Sequence, residues 1–84
     1  MRVTVRLFAR LREAAGREID ECELPPLARV ADVWAAMTAR YPALAPFGGS
    51  LSAAVNADFA RMTALVNDGD EVAFLPPVSG GGRN

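Results

Sequence analysis

Residues 68–82 read Asp-Gly-Asp-Glu-Val-Ala-Phe-Leu-Pro-Pro-Val-Ser-Gly-Gly-Gly: an acidic turn, an apolar run, two prolines and a glycine-rich tip in direct succession. The turn at 68–70 predicts the start of a strand over Glu71–Leu75. Pro76 and Pro77 predict its end, because proline has no N–H to donate to a sheet. Prolines favour a stiff extended course, and glycine permits close backbone approach. This pattern is typical of a tail that enters a narrow site in another protein, the alternative being a frayed terminus.

Composition limits the classes of function. The chain has 84 residues, 51% of them apolar and 23% charged, which predicts one globular domain. A net charge of −1 disfavours a nucleic-acid partner. Histidine is absent and all nine basic residues are arginine, so the commonest general base and any side-chain amine are missing.

The single cysteine, Cys22, excludes an internal disulfide and lies within a predicted strand, so we interpret it as a buried small apolar residue. Neither a signal peptide nor an apolar run of membrane-spanning length is visible. We therefore expect a cytoplasmic protein with no membrane partner and no metal site.

The N-terminal residues alternate in polarity. Over residues 2–8 the odd positions are apolar, which predicts a half-buried strand with that side facing the core. Phe8 falls on the polar side, either as an exposed contact residue or as an aromatic that curls over the core. Residues 9–16 favour a single helical turn that ends at Gly16, with Leu11 entering the core.

Residues 17–24 predict a second strand that ends at two prolines. Its apolar members Ile19 and Cys22 have opposite parity, which predicts a bulge or twist. Four carboxylates also lie along this strand, and we interpret them as a solvated acidic run rather than an acid–base pair: Glu18, Asp20, Glu21 and Glu23.

The main helix is predicted over residues 30–41, where apolar side chains recur at spacings of three and four. Trp34 lies on this stripe, so we expect it in the core rather than in a binding site. Residues 42–52 predict a loop, Leu51–Val55 a strand, and Phe59–Met62 a short return strand.

These elements predict an α+β fold: a mixed sheet of four to five strands with one main helix packed across it. If the last strand lies beside the first, the two are parallel and the arrangement is the β-grasp of ubiquitin-like proteins. We expect residues 1–77 to form this domain and residues 78–84 to form a flexible C-terminal tail that bears the glycine tip.

The tail also carries a resemblance to a known family. Asp68–Gly81 closely resembles the C-terminus of the small subunits of molybdopterin synthase, which are ubiquitin-like sulfur carriers. The strand that ends at Phe8, the Leu-Arg-Glu-Ala-Ala-Gly segment at 11–16 and the Ala-Val-Asn segment at 54–56 match the family's layout.

The resemblance implies a carrier that is not an enzyme by itself and holds no stably bound cofactor. In the family, an ATP-dependent, E1-like adenylating enzyme activates the terminal glycine carboxylate, and a sulfur donor protein converts it to a thiocarboxylate. The tail then enters the large subunit of molybdopterin synthase and gives its sulfur to a pyranopterin precursor of the molybdenum cofactor. By this resemblance Gly81 is the reacting residue and Gly80 precedes it.

The resemblance further implies a docking surface on the sheet near the tail, formed by Phe8, Phe59 and Leu75. Pro76 and Pro77 set the exit of the tail beside it. Arg12 matches an arginine that the family uses towards its partners, the alternative being a solvated helix residue.

One departure from the family pattern is that Gly82, Arg83 and Asn84 follow Gly81. We expect a protease to trim the chain, leaving a mature end at Gly81 or Gly82, with Gly81 preferred for its spacing from Pro77. The alternatives are a sulfur carrier for cysteine, thiamine or tRNA thiolation, a ubiquitin-like protein modifier, and an interaction module with an inert tail.

Overall fold

The computed structural model describes residues 1–77, so the predicted tail at 78–84 lies outside the described residues. Five strands, two α-helices and one 3₁₀-helix follow one another in this part of the chain. Their bounds are β1 Arg2–Leu7, α1 Ala9–Ala15, β2 Ile19–Glu23, α2 Val30–Arg40, a 3₁₀-helix Pro42–Phe47, β3 Ser52–Val55, β4 Asp58–Ala60 and β5 Glu71–Leu75.

The five strands form one mixed sheet in the order β2-β1-β5-β3-β4. β1 and β5 are parallel, with Leu7 opposite Phe74, and the other pairs are antiparallel. The last strand therefore lies beside the first and at the centre of the sheet. This pairing, with α2 packed across the sheet, confirms the predicted β-grasp fold.

The core lies between one face of the sheet and α2. The predicted core positions Val3, Val5 and Leu7 are fully buried. Phe74 is also fully buried, and its ring meets Trp34 edge to face with 5.0 Å between centroids. Such aromatic pairs add to the free energy gained from apolar burial, so this contact is central to the attachment of α2. The assignment of Trp34 to the core is confirmed, with 8% of the residue exposed.

The first helix is longer than predicted. α1 has seven residues, about two turns, and ends at Gly16, which has φ of 73° and donates its N–H to the Arg12 carbonyl. The prediction of a single turn is wrong, because alanine, leucine, arginine and glutamate all favour helix and buried Leu11 ties the segment to the core.

The predicted bulge in the second strand is also wrong. β2 pairs with β1 in unbroken register, with Cys22 opposite Val3 and Ile19 opposite Arg6. Ile19 faces away from the core and is 48% exposed. The alternation is interrupted only because a large apolar residue occupies an outward position.

Asp20 corrects the interpretation of β2 as a uniformly solvated acidic strand. It shares the inward parity of Cys22, and its side chain is only 14% exposed. Its carboxylate accepts hydrogen bonds from the Tyr41 hydroxyl at 2.5 Å and from Arg40 at 2.8 Å. Burial acts to raise the pKa of Asp20, but these bonds and the Glu21 N–H outweigh it and lower the pKa from 3.8 to about 2.

Asp20→Asn is expected to cost about 2 kcal/mol of stability at neutral pH and to flatten its acid dependence. Because the pKa is lowered on folding, the contribution of Asp20 is complete above the unfolded value of 3.8 and is lost as pH falls towards about 2. Urea unfolding between neutral pH and pH 3 measures this. Glu13→Gln, at an exposed position of α1, is the control; equal pH slopes for wild type and Asp20→Asn would contradict the assignment.

Two further differences concern loops and ends. Pro42–Phe47, within the predicted loop, forms a 3₁₀-helix, and the return strand is Asp58–Ala60 rather than Phe59–Met62.

α2 begins directly after Arg29, whose N–H donates to the Asp32 carboxylate at 2.7 Å. Asp32 supplies the polar contact at this helix end that the Arg29 side chain cannot, since a guanidinium has no acceptor.

Candidate partner-docking surface

The sheet face that points away from α2 is called the outer face here. Side chains of a strand alternate between the two faces, so the partners of the buried residues point outward. On β5 these are Glu71, Ala73 and Leu75, whereas Val72 and Phe74 are buried against the helix. No helix among residues 1–77 packs on the outer face, which leaves its apolar side chains available to a partner.

Phe8 and Leu75 are neighbours on this face. β1 and β5 run in parallel with Leu7 opposite Phe74, and the Phe8 N–H donates to the Phe74 carbonyl at 3.3 Å. Phe8 keeps an extended backbone, with φ of −117° and ψ of 151°, so the strand alternation continues through it. Its side chain therefore points outward beside Leu75, and at 38% exposure it does not curl over the core.

Phe59 lies on the same face at the edge of the sheet. It is opposite Ala54 on β3, and Ser52 of the same strand is opposite Leu75. Two strand spacings, or about 10 Å, therefore separate the β4 and β5 backbones at this level. The side chains between them are small, so Phe59 projects from the surface and is 83% exposed.

The exit of the tail lies beside these three residues. β5 is held on both sides, by β1 and β3, up to Leu75, and Pro76 and Pro77 follow it directly. Pro76 is half-buried and Pro77 is exposed. A central strand is the most constrained part of a sheet, so the starting point of the tail is fixed relative to the outer face. The predicted reacting residues Gly80 and Gly81 lie outside the described residues.

Arg12 lies on α1, one helical turn beyond Phe8, and is exposed. Because α1 starts directly after β1, Arg12 is at the end of the sheet from which the tail leaves. This placement is consistent with a partner contact at the rim of the apolar surface. The contact itself stays a prediction.

Part of this surface was not predicted from the sequence. On the outer face, Ala73 of β5 lies opposite Ala54 of β3 and opposite Arg6 of β1. These three residues form one continuous row with Phe59, which lies opposite Ala54. Ile19 extends the row across β1 to the other edge. The parity of Ala73 with Leu75 was a visible signal, but only the strand order shows that the row is continuous.

A reactive cysteine, a metal site and a membrane-spanning helix are not found within residues 1–77. Cys22 is 2% exposed, and burial raises the pKa of its thiol, so it is a poor nucleophile. No cluster of three or more potential metal ligands occurs among these residues. None of the helices in this part of the chain is long and apolar enough to cross a membrane.

The outer face thus offers exposed apolar side chains beside a fixed chain exit. A few side chains near the centre of an interface, often aromatic, account for most of its binding free energy. The arrangement can dock a partner so that the tail is delivered in a defined direction.

Comparisons with known proteins identify relatives in sequence and in fold. The molybdopterin synthase sulfur carrier subunit of Escherichia coli (strain K12) is 40% identical over 81 residues, which cover 94% of this chain and 99% of that protein. The crystal structure of SAMP1, a small archaeal modifier protein of Haloferax volcanii, superposes with a TM-score of 0.86 at 31% identity, covering 96% of this chain and all of that one.

A third likeness shows the fold alone. It is to a protein–protein complex of subunits 1 and 2 of molybdopterin-converting factor from Helicobacter pylori, with a TM-score of 0.67 at 24% identity and coverage of 96% of this chain and 100% of that one. The sequence model of the ThiS family matches residues 5–81, which is nearly the whole chain. Because this match covers far more than half of the chain, the chain belongs to the ThiS family.

Proposed function

We propose that this chain is the sulfur-carrying small subunit of a molybdopterin synthase. The observation that carries the proposal is the 40% identity, over nearly the full length of both proteins, to the Escherichia coli sulfur carrier subunit. The outer face supports it, since a carrier must dock on partners while its tail stays free to react. The family match also ends at Gly81, the residue that we propose as the reacting terminus.

The chemistry starts at the carboxylate of the terminal glycine. An activating enzyme joins it to AMP and releases pyrophosphate from ATP, which turns an unreactive carboxylate into an acyl electrophile. A sulfur donor protein then supplies sulfur to that carbonyl carbon, AMP leaves, and a thiocarboxylate results. Its sulfur bonds to a carbon of the pyranopterin precursor and displaces an oxygen substituent from it, and hydrolysis of the carrier's carbonyl–sulfur bond restores the carboxylate.

This chain's own residues supply binding and delivery in these steps. It has no histidine or lysine, so we assign proton transfer to the partners. The chain is then non-catalytic alone and needs ATP only through the activating enzyme. Residues 82–84 stand after the proposed terminus and have to be removed by a protease before activation.

The partner that we propose for the outer face is the large subunit of molybdopterin synthase. The Helicobacter pylori structure is a complex of subunit 1 with subunit 2, and this chain matches a subunit of that complex in fold. Phe8, Phe59 and Leu75 would form the apolar centre of the interface, with Arg12 at its rim. Pro76 and Pro77 would direct the tail into the large subunit.

Phe59→Asp and Leu75→Asp are each expected to weaken binding to the large subunit by about 2 kcal/mol or more, roughly thirtyfold in Kd. The reason is that each substitution places a charge in an apolar contact that has to be desolvated. Titration calorimetry with the large subunit of the same organism measures the effect.

Leu27→Asp is the matched control for this experiment. Leu27 is 79% exposed and apolar, but it lies in the turn after β2, at the opposite end of the sheet from the tail. Its φ of 68° also suits aspartate better than leucine. Equal losses in Leu27→Asp and Phe59→Asp would contradict the docking surface, as would unfolding of Phe59→Asp in circular dichroism.

A second candidate function is a ubiquitin-like protein modifier. The likeness to the Haloferax volcanii modifier, with a TM-score of 0.86, favours it. Both functions would use an activated glycine terminus, but a modifier ends joined to a lysine amine of a target. Mass spectrometry of the protein isolated from its own cells, both intact and after proteolytic digestion of its conjugates, distinguishes them. A carrier shows one oxygen exchanged for sulfur at Gly81 or Gly82, whereas a modifier shows target peptides that carry the trimmed terminus.

A further inference from the structure

The charges on the outer face change in sign along the strand direction, from the end where the tail leaves to the opposite end. This change is called the charge polarity of the face. Three rows of side chains cross the sheet, and they change in character from the tail end to the opposite end. Nearest the tail, Leu75 lies between Phe8 and Ser52; in the middle, small and apolar residues surround Arg6; farthest away, Thr4 lies between Glu21 and Glu71.

The far end of this face is acidic. Glu21, Glu23 and Glu71 are on it, and the arginines that pair with them are Arg2 at the same end and Arg6 in the middle row. Arg6 also pairs with Glu18, which precedes β2 beside Leu7, on the tail side of the middle row. Arg2 lies 2.9 Å from Glu23 and 3.7 Å from Glu21. Arg6 lies 3.5 Å from Glu71 and 3.7 Å from Glu18, beyond the usual length of a charge-assisted hydrogen bond. Three carboxylates against two arginines leave an excess of negative charge at this end, and the exposed pairs between them contribute little stability.

The tail end is basic. Arg12 on α1 is at one side of the apolar surface, and Arg61 is at the other, directly after β4. Phe59 points outward, so the alternation carried past the strand end places Arg61 on the outer face beside Ser52. Both arginines are exposed, and neither forms a salt bridge within residues 1–77.

We propose that this polarity sets the orientation of the docked partner, with Arg61 and Glu21 as its two opposite markers. The partner is a protein surface with an apolar centre, acidic side chains around the entrance for the tail, and basic side chains at the far end. The proposal rests on the proposed function and names the surface chemistry of the large subunit. An apolar surface alone fixes position poorly, whereas complementary charges at its two ends favour one direction of approach.

The physical basis is electrostatic steering of the encounter. Charges separated by more than about 8 Å are largely screened at physiological salt, so the two ends of the face act as separate fields. A partner that approaches reversed meets like charges at both ends. The polarity therefore changes the association rate more than the dissociation rate.

The test compares four variants that are matched in net charge. Arg61→Gln and Ala35→Glu each lower the net charge by one, and Glu21→Gln and Ala35→Arg each raise it by one. Ala35 is an exposed residue of α2, on the opposite side of the molecule from the outer face. Association and dissociation rates with the large subunit of the same organism are measured by surface plasmon resonance at low and high salt.

Both outer-face variants are expected to lower the association rate about three- to tenfold at low salt, and both Ala35 variants to leave it unchanged. The losses should shrink at high salt. Opposite effects of Arg61→Gln and Glu21→Gln would show attraction by net charge alone and would overturn the proposal, as would no effect of either.

Phe59→Asp, included in the same series, separates this proposal from the proposed function. Weak binding of Phe59→Asp with unchanged rates for the charge variants would overturn the polarity alone. Absence of any complex with the wild-type chain would overturn the proposed function, and the orientation would fall with it.

Discussion

A chain that is made to end at Gly81 is expected to acquire a thiocarboxylate, and a chain that continues through Asn84 is expected to acquire none. Adenylation takes place at a terminal carboxylate, and only in the shortened chain does that carboxylate belong to glycine. The end of the longer chain carries an asparagine side chain that a channel made for glycine excludes. The expected difference is complete loading against no loading.

The measurement is intact mass spectrometry after incubation with the activating enzyme of the same organism, ATP and a sulfur donor. The loaded product is heavier by the difference between sulfur and oxygen. A chain ending at Gly82 tests the register of the tip and is expected to load far less. Efficient loading of the chain that ends at Asn84 would contradict the need for trimming, and preferential loading at Gly82 would move the terminus by one residue.

Phe74→Ala is expected to cost about 3–5 kcal/mol of stability, the largest loss from any single truncation considered for this chain. Phe74 is fully buried in the central strand and packs edge to face on Trp34 at 5.0 Å. Its removal leaves a cavity between the sheet and α2 that the flanking strands cannot close. Small domains have roughly 5–15 kcal/mol of stability in total, so much of the folded population is at risk.

Urea unfolding followed by fluorescence of Trp34, the single tryptophan, measures this loss directly. Phe59→Ala is the matched control, since it removes the same side chain from a position that is 83% exposed. The control is expected to change stability by no more than about 0.5 kcal/mol. Similar losses in the two variants would mean that the packing of Phe74 on α2 is not the main support of the fold.

Local patterns predicted much of the fold because they follow from short-range geometry. Alternation in residues 2–8 identified the buried side of β1, and the turn and prolines around 71–75 identified β5 with its observed bounds. The helical stripe identified α2 and the buried position of Trp34. In each case, side chains at every second position of a strand, or three to four residues apart on a helix, had to leave water. A few consecutive residues are enough to show that pattern.

The errors came from places where local signals were weak or misleading. Ile19 suggested a bulge because apolar residues were assumed to face inward, yet it lies on the outer face, where part of its apolar surface stays exposed. Asp20 was grouped with solvated carboxylates, but Tyr41 and Arg40, about twenty residues away, hydrogen-bond it. No window of sequence around β2 contains that information.

The sequence by itself determined the core sides of β1 and α2, where the last strand ends, and that a glycine tip follows two prolines. Only the tertiary structure decided that β5 lies between β1 and β3, which places Phe8 beside Leu75 and aligns Phe59 on the same face. The physical reason is that alternation depends on neighbouring residues, whereas strand order depends on backbone hydrogen bonds between distant segments. Those bonds form only when the whole core is buried together.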